Sequence, residues 1–490
     1  MKHLRIRRRT AALLLTLILA GGLASCQSAE PPANPSGENP AAAATTEAET
    51  EAVTTAYLDS LPAEDLDGYT FRVEGQSTLQ RQNFYTQDKE GEIINDAVHT
   101  RDLTVEERLN VKLEYTALES RDEAANVIVK TVLADDAAYE MVITALSAGI
   151  NTMVAANVLY DLNTIPVLSV DGETGLWNRS IHDQMQFYNK QYFTTGVISP
   201  QFIQSPVTCE FNKKLVDSYQ LGDIYQIVQD GGWTLEFMDD CITATSNDLD
   251  GNGTMDINDF YGFSLDGVFG NVLFSTAGCN PIRIEGGEYV IDLADPSIVT
   301  LIDKCAGIFG DPARVYQNKK SDGSSHVVFM AGRSVFTTAD MLDVQKFRDM
   351  EDDFGIIPTP KIDESQDGYF TSCTTWLPTG VAVPKNCQNI DRVGLIMETM
   401  AAISESVIKP AVYEVTLQGK VTRDDMSVLM LDIIYQNPTY DFITAFDIGS
   451  SGTELRQAVL GWKENWTSTW AGIEKKVNIA INDIKENAKE

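Results

Sequence analysis

The chain has 490 residues, of which 37 are Lys or Arg and 71 are Asp or Glu, giving a formal net charge of -34 at pH 7. Because a typical domain has about 150 residues, this length predicts two large lobes rather than a single core. The negative charge argues against nucleic acid as a partner, since it repels phosphate backbones, and a hydrophobic content of 43% excludes global disorder.

The N-terminus has the pattern of a secretory signal. Five basic residues precede the apolar run Ala11–Ala20, which is too short for a membrane-spanning helix of roughly 20 residues. The run leads into Leu23-Ala24-Ser25-Cys26, which resembles a bacterial lipobox. This resemblance implies that residues 1–25 are a lipoprotein signal peptide and that Cys26 carries a lipid. The alternative is an ordinary signal peptide followed by an incidental cysteine.

Lipidation at Cys26 would anchor the mature chain to the outer face of the cytoplasmic membrane, which is the periplasmic side in a cell with two membranes. Cleavage after Ser25 removes five positive charges and no acids, so the net charge of the mature chain becomes -39. Residues 27–56 are rich in Pro, Ala, Thr and Glu and have no periodic apolar face. Such a composition does not form a core, so residues 26–60 are predicted to be a disordered tether.

Short extended runs then alternate with helical stretches, which favours βαβ units and a largely parallel sheet. The predicted strands are 69–75, 111–117 and 139–145, with predicted helices at 94–109 and 123–133 between them. Residues 69–205 are therefore expected to form an α/β lobe.

Residues 248–259 have the spacing of a calcium-binding loop. Its side-chain oxygen donors, at positions 1, 3, 5, 9 and 12, are Asp248, Asp250, Asn252, Asp256 and Asp259. Thr254 at position 7 offers its backbone carbonyl, and Gly253 stands at position 6, where the loop turns sharply. The shorter Asp259 replaces the usual Glu at position 12. We expect a structural Ca²⁺ ion here; the alternative is an Asx-turn loop without an ion.

Near the C-terminus, apolar residues recur at steps of three or four, which indicates an amphipathic helix. They are Trp462, Trp466, Trp470, Ile473, Val477, Ile481 and Ile484. A row of tryptophans could form a sugar platform, but one continuous apolar face is more simply a core surface that docks this helix on a lobe.

Motifs for other chemistry are weak. Six cysteines remain besides Cys26, and none has the C-x-x-C spacing, so the sequence assigns no disulfide. The four histidines are scattered, which leaves no zinc-protease motif. Ser406 and Lys409 match the S-x-x-K pattern of penicillin-recognising enzymes, but the accompanying K-T-G is absent. No catalytic residue is therefore assigned.

Several segments occur in an informative order. They are Cys209–Val216, Gly232–Phe237, the calcium-loop sequence with Tyr261-Gly262, Phe329–Phe336, Phe354–Pro360 and Gly380–Lys385. Together they resemble the extracellular solute-binding proteins of bacterial ABC importers, the family that includes the maltose-binding protein and many lipoprotein sugar receptors. The resemblance covers residues 69–490 and depends on the order and spacing of the segments, because no single segment is diagnostic.

The resemblance implies an α/β fold of the two-lobed, periplasmic-binding-protein-like kind (type II), with hinge strands and an interlobe cleft. Lobe 1 is expected at residues 66–205 plus 357–403, and lobe 2 at 206–356 plus 404–490. The family further implies a monomer that captures a small solute, such as a sugar or an oligosaccharide, and delivers it to the permease subunits of an ABC transporter.

Ligands of open α/β sheets bind at the carboxyl ends of the strands, and this rule nominates six residues. They are Gln76, Thr144, Ser147 and Trp376 in lobe 1, and Asp340 and Phe446 in lobe 2. Trp376 is the preferred plate for a sugar ring, with packing at the domain junction as the alternative. Asp340 is either a helix cap or a ligand contact, and Trp233 is expected to anchor the start of a helix.

These features favour a non-catalytic, lipid-anchored receptor for a carbohydrate. An exported glycoside hydrolase stays open as an alternative, because two of the 71 acids could be paired in space. A surface carbohydrate adhesin without a transport partner is the third candidate.

Overall fold

The computed structural model describes residues 56–76, 84–86, 88–118, 120–276, 281–286, 288–320, 322–377, 379–417 and 425–488. The predicted signal peptide, Cys26 and the predicted tether up to residue 55 lie outside the described residues. The described residues belong to one unit, Thr50–Glu490.

The described chain alternates strands and helices. The strands are β1 (Tyr69–Gln76), β2 (Val111–Leu118), β3 (Met141–Thr144), β4 (Val207–Asn212), β5 (Tyr261–Asp266), β6 (Ile282–Glu285), β7 (Glu288–Ile291), β8 (Val315–Asn318), β9 (Ser334–Asp340), β10 (Phe354–Pro358), β11 (Thr371–Ser372), β12 (Gly380–Ala382) and β13 (Pro438–Thr439). The helices are α1 (Ile93–Leu109), α2 (Arg121–Leu133), α3 (Asn151–Ala155), α4 (Arg179–Gln184), α5 (Pro200–Gln204), α6 (Lys213–Tyr219), α7 (Ile224–Gln229), α8 (Leu235–Thr245), α9 (Gly270–Thr276), α10 (Pro296–Phe309), α11 (Ser324–Met330), α12 (Ile390–Leu417), α13 (Asp425–Gln436), α14 (Phe442–Phe446), α15 (Ser451–Val459) and α16 (Trp466–Ala488).

The first lobe is built on a sheet with the strand order β12-β3-β1-β2. β1 pairs in parallel with β2 and β3, whereas β12 pairs antiparallel with β3. The crossover helices α1 and α2 connect these strands, as parallel pairing requires. The strands and helices predicted between residues 69 and 145 are confirmed, since each lies within two residues of its predicted bounds.

Helices cover both faces of this sheet, which explains why its strands are rich in apolar residues. Phe71, Val73 and Ile143 form one buried cluster with apolar side chains of α1 and α12. Val142, which points to the opposite face, joins a second cluster with Ala125 and the rest of the buried face of α2. Burying a side chain of this size contributes about 1.5–3 kcal/mol to folding stability. The apolar side chains on each face of the strands therefore determine which helices pack against that face.

The second lobe is built on a sheet with the order β10-β4-β9-β5-β8. β5 is parallel to β8 and β9, while β4 is antiparallel to β9 and β10. Trp233 precedes α8, is fully buried and donates from Nε1 to Pro358 O at 2.8 Å, which confirms its predicted role at the start of a helix. The mixed α/β, two-lobed architecture is thus confirmed.

Extended segments around residues 205–206 and 373–374 join the two lobes. Pro206 and Cys373 form an antiparallel bridge, and Thr374 N–H donates to Ser205 O at 2.9 Å. β11 and β13 pair in parallel beside this bridge. We refer to the bridge between Pro206 and Cys373, together with β11 and β13, as the hinge.

Two predicted lobe boundaries were wrong. Ile357 and Pro358, placed at the start of the second lobe 1 segment, are in β10 and pair with β4, so the chain remains in lobe 2 until the crossing at Cys373. The boundary between residues 403 and 404 falls inside α12. Ile408 and Val412 of that helix pack against α1, so lobe 1 extends beyond 403.

The predicted tether, residues 26–60, extends too far. Residues 56–60 are helical, and Leu61 is buried in the core of lobe 1. The hydroxyl of Tyr57 donates to Glu398 Oε1 at 2.6 Å, and the other oxygen of that buried carboxylate accepts from Trp177 Nε1 at 2.8 Å. A buried carboxylate is stable only when its oxygens are hydrogen-bonded. Because Tyr57 supplies one of the hydrogen bonds to Glu398, it holds residues 56–60 against lobe 1.

The C-terminal helix α16 packs into lobe 2. Trp466, Trp470 and Val477 are buried, which confirms that this apolar stripe is core rather than a sugar platform. Trp462 precedes the helix and donates from Nε1 to Gln317 at 2.6 Å. In the described part of the chain, no helix combines the length and the apolar character needed to cross a membrane.

The cysteines of the described residues are buried, and no disulfide joins them to one another. They are Cys209, Cys241, Cys305, Cys373 and Cys387. Burial raises the pKa of each of the thiols of Cys209, Cys241, Cys373 and Cys387. These side chains act as small apolar core residues.

Candidate functional site

The candidate site begins where β3 ends. After Thr144 the chain turns through the π-helical segment Leu146–Ile150 and enters α3. Thr144 is fully buried beneath this turn, and a Cβ at Gly149 would lie 2.5 Å from Thr144 Cγ2. Only glycine therefore fits at position 149, and its absence of a side chain lets the turn fold back over the strand end.

Three parts of the fold meet beside this turn. The backbone N–H and the hydroxyl of Ser147 both donate to Thr375 O, each at 3.1 Å. Thr375 lies just past the hinge bridge, and its own hydroxyl donates to Thr444 O of α14 at 3.3 Å. The carboxyl end of β3 is thereby linked through the hinge segment to lobe 2.

Aromatic rings close one side of the site. Phe187 and Phe193 of lobe 1 have ring centroids 5.2 and 5.7 Å from that of Phe446 in α14. Phe187 also contacts Tyr289 of β7 at 6.1 Å, and the Tyr289 hydroxyl donates to Gln186 O at 3.2 Å. These rings bury apolar surface between the lobes and hold the lobes in contact.

An interlobe cavity of about 690 Å³ opens next to Phe446. Its walls come from α3 in lobe 1 and from α14, the turn after it and α16 in lobe 2. The lining residues are Asn151, Thr152, Ala155, Phe446, Asp447, Ile448, Gly449, Ala480, Asp483, Ile484 and Glu486. Amide, hydroxyl and carboxylate groups thus surround a partly apolar surface, which is the usual composition of a small-molecule site.

The turn after α14 has an unusual backbone at this cavity. Asp447, Gly449 and Ser450 all have positive φ, at 43°, 62° and 72°. The two oxygens of Asp447 accept from Thr453 N–H and from its hydroxyl, each at 2.8 Å, and these bonds hold the left-handed conformation. A Cβ at Gly449 would lie 2.7 Å from the backbone of Val477, so the glycine also lets the turn approach α16.

The predicted ligand-binding residues are distributed unevenly. Phe446 lines the interlobe cavity, and Ser147 lies on the turn that leads to Asn151 in its wall. Thr144 ends β3 as predicted but is covered by the turn. Gln76 is the last residue of β1, and its side chain lies outside the described residues.

Trp376 and Asp340 make structural contacts within the fold. Trp376 is half-buried and meets the Phe269 ring edge-on, with centroids 5.7 Å apart. Asp340 is buried at the end of β9 and accepts from Asp343 N–H at 2.9 Å, so it caps the following turn. Burial, with the nearby Asp343 carboxylate, raises the pKa of Asp340 to about 7. Neither residue lines the interlobe cavity.

Several cavity residues have no counterpart among the predicted ones. Asn151 and Thr152 follow Ser147 by one helical turn, so extending the predicted strand-end segment would have found them. Asp483 and Ile484 lie on α16, more than 300 residues from α3 in sequence, and no local pattern connects them with the site. A Trp-rich apolar stripe predicts how α16 docks but not which polar residues it presents to lobe 1.

The predicted calcium loop forms a compact group of oxygens. One carboxylate oxygen each of Asp248, Asp250 and Asp259 lies within 4.8 Å of the others. Asp248 accepts from the backbone N–H groups of Gly251 and Gly253, both at 2.8 Å, and these bonds keep the pKa of Asp248 below its ordinary value. Asp259 is buried and accepts from Leu249 N–H at 2.9 Å, which closes the loop. The donor set suits Ca²⁺, a hard cation that prefers oxygen ligands.

Comparison with solved structures identifies the fold. A cyclic alpha-maltosyl-1,6-maltose binding protein from Arthrobacter globiformis superposes with a TM-score of 0.56 at 13% identity, over 86% of this chain and 100% of that one. The galacto-N-biose/lacto-N-biose I-binding protein of an ABC transporter from Bifidobacterium longum gives 0.51 at 14% identity, over 87% and 97%. An ABC substrate-binding protein from Listeria monocytogenes in complex with cycloalternan gives 0.51 at 13% identity, over 86% and 100%.

The chain has the two-lobed fold of ABC solute-binding proteins. No family model matches it, and no curated protein matches it in sequence. The solute-binding-protein fold is built to hold a ligand between lobes that move about a hinge. The interlobe cavity of this chain lies between its two lobes, since α3 of lobe 1 and α16 of lobe 2 form its opposing walls.

Proposed function

We propose that the protein is a non-catalytic receptor that captures a carbohydrate between its two lobes. The observation that carries this proposal is the interlobe cavity, because a ligand there would contact α3 of lobe 1 and α16 of lobe 2 together. Its volume of about 690 Å³ falls within the range of roughly 300–1,000 Å³ typical of small-molecule sites.

The chemistry of the cavity suits a sugar. Asn151 and Thr152 can donate and accept hydrogen bonds, and the carboxylates of Asp483 and Glu486 can accept them from hydroxyl groups. Phe446 and Ile484 offer apolar surface to the C–H face of a sugar ring. The neighbours with this fold that support the proposal include proteins described as binding cyclic or linear oligosaccharides.

The receptor would deliver its ligand to the permease of an ABC transporter from the outer face of the cytoplasmic membrane. The lipobox-like Leu23–Cys26 and the basic, apolar residues before it support lipid anchoring through Cys26. Metabolic labelling with a radioactive fatty acid should mark the wild-type chain and not a Cys26→Ser variant. Equal labelling of both chains would contradict the anchor.

A thermal-shift screen tests the receptor proposal. The mature chain, residues 26–490, would be heated with maltooligosaccharides, cello-oligosaccharides, amino acids and short peptides. A ligand present at 100 times its Kd should stabilise the folded state by about 2.7 kcal/mol and raise the melting temperature accordingly. We expect a rise with at least one glycan and none with amino acids. A rise with peptides alone, or cleavage of a glycan during the incubation, would contradict the proposal.

We also propose that the loop 248–259 binds a structural Ca²⁺ ion. The three clustered carboxylates support this, and the ion would offset their mutual repulsion. Adding CaCl₂ should raise the melting temperature of the wild-type chain but not of Asp248→Asn. Asp303→Asn, an exposed change on α10, is the control and should respond like the wild type. A calcium response that survives Asp248→Asn would contradict the site.

A further inference from the structure

A second cavity, of about 510 Å³, lies at the hinge. We call it the hinge cavity. Lobe 1 contributes α4 with Trp177 and Asn178 before it, and Lys409 and Tyr413 of α12. The opposite wall is formed by Phe370 and by the chain from Tyr435 to Thr439. The hinge cavity and the interlobe cavity share no lining residue.

The two segments that line the hinge cavity also reach the interlobe site. In the first, Phe370 lies at the hinge cavity and Thr375 contacts Ser147 and Thr444 beside the interlobe cavity. In the second, residues 436–439 line the hinge cavity, and Phe446 lines the interlobe cavity. Each of these two segments therefore has one cavity at each of its ends. A molecule in either cavity would touch both lobes.

Several polar groups of the hinge cavity are available to a ligand. Arg179 donates only from Nε to Asp183, at 3.3 Å, which leaves both terminal nitrogens of its guanidinium without a bond to a described residue. The hydroxyl of Tyr413 and the side-chain amides of Gln436 and Asn437 likewise make no hydrogen bond within the described chain.

The cavity also offers rings and positive charge. Phe370 is 37% exposed, and the rings of Tyr413 and Tyr435 lie 4.8 Å apart. Two of its lining residues are cations, and each is paired with a carboxylate: Arg179 with Asp183 at 3.3 Å and Lys409 with Glu405 at 2.6 Å. The pairing of Arg179 through Nε leaves the two terminal nitrogens of its guanidinium for a bound anion.

We propose that the hinge cavity is a second ligand site, which takes a small hydroxylated carboxylate the size of one sugar ring, such as a hexuronate. A guanidinium with two free nitrogens matches a carboxylate in a bidentate pair. The amides of Gln436 and Asn437 and the Tyr413 hydroxyl match ring hydroxyls, and Phe370 matches the C–H face of the ring. A ligand in the hinge cavity would contact both lobes, as a ligand in the interlobe cavity would.

Calorimetric titration of the mature chain tests this site, with D-glucuronate and D-galacturonate as probes and D-glucose as the neutral comparison. We expect at least one uronate to bind, and Arg179→Gln to weaken it at least about tenfold. Arg179 is a surface residue, so the variant should fold normally. Arg392→Gln, an exposed change elsewhere on lobe 1, and Asn151→Ala in the interlobe cavity should bind the uronate like the wild type.

Three results would overturn the inference. They are the absence of binding by both uronates, equal binding of glucose, and loss of uronate binding in Asn151→Ala with retention in Arg179→Gln. The last result would assign the uronate to the interlobe cavity. The receptor proposal fails separately, on the absence of any glycan in the interlobe cavity.

Discussion

Glu74 provides a sharp test of how lobe 1 is built. It lies near the end of β1, has no exposed surface, and neither of its carboxylate oxygens has a hydrogen-bond partner in the described structure. Burial raises its pKa from 4.5 to about 8, and the nearby Glu123 adds to the rise. The side chain is therefore protonated in the folded protein at neutral pH.

The change Glu74→Gln removes the ionisation and keeps the shape of the protonated acid. A shift from 4.5 to about 8 corresponds to about 5 kcal/mol between the two protonation states. Below pH 4.5 the acid is protonated in both the folded and the unfolded chain, so the group adds no pH dependence. Between 4.5 and 8 the unfolded chain releases the proton first, and the wild type loses stability by about 1.4 kcal/mol per pH unit.

Urea unfolding followed by tryptophan fluorescence measures the effect. The free energy of unfolding of Glu74→Gln, relative to wild type, should rise from about pH 5 and level off above about pH 8, with a total gain of about 5 kcal/mol. Glu107→Gln, an exposed glutamate change on α1, is the matched control for the substitution itself. A flat difference for Glu74→Gln would contradict the raised pKa, because it would show that Glu74 titrates alike in the folded and the unfolded chain.

Three further predictions concern buried contacts. Phe187→Ala should destabilise the fold by about 3–5 kcal/mol in urea unfolding, because the ring is fully buried against Tyr289 and Phe446 across the lobes; a cost below about 1 kcal/mol would contradict that packing. Tyr57→Phe should lower the free energy of unfolding by about 1–3 kcal/mol, because the buried Glu398 loses a hydrogen-bond donor. An unchanged urea midpoint would show that residues 56–60 are not docked on lobe 1. The thiol of Cys209 should react with a disulfide reagent only after unfolding, since burial raises its pKa; rapid reaction in the native state would contradict its placement in β4.

The fold of lobe 1 was predictable because its signals are local. Apolar runs of strand length alternate with helix-period segments between residues 69 and 145, and parallel pairing then requires the crossover helices. The start of the folded region was harder. Residues 56–60 have too few apolar residues to predict a core element, and they fold because Tyr57 reaches Glu398 more than 300 residues away.

The lobe boundaries show a different limit. A strand such as Phe354–Pro358 has the same local pattern in either lobe, and its pairing with β4 decides its assignment. The long helix α12 is likewise assigned by the contacts of Ile408 and Val412 with α1, which no local pattern encodes.

The site was predictable to the extent that it follows strand ends. That rule led to Phe446, which lines the interlobe cavity, and to Ser147, whose turn continues into Asn151 of the cavity wall. The strand-end rule also nominated Thr144 and Asp340, which lie at strand ends but are not accessible. Thr144 is covered by the turn at Gly149, and Asp340 is buried and accepts a hydrogen bond from Asp343 N–H. Sequence position gives the end of a strand, and the packing of the next turn decides whether the side chain is accessible.

The most direct test of the receptor proposal is calorimetric titration of the mature chain with the glycan that gives the largest thermal shift. We expect one site per chain for this glycan, with affinity reduced by about fivefold or more in Asn151→Ala, as expected for losing one hydrogen bond of about 1 kcal/mol. Asp303→Ala, an exposed change on α10, should bind like the wild type. Binding that is unaffected by Asn151→Ala and Phe446→Ala, or no binding of any glycan, would contradict a carbohydrate receptor that closes on its ligand at the interlobe cavity.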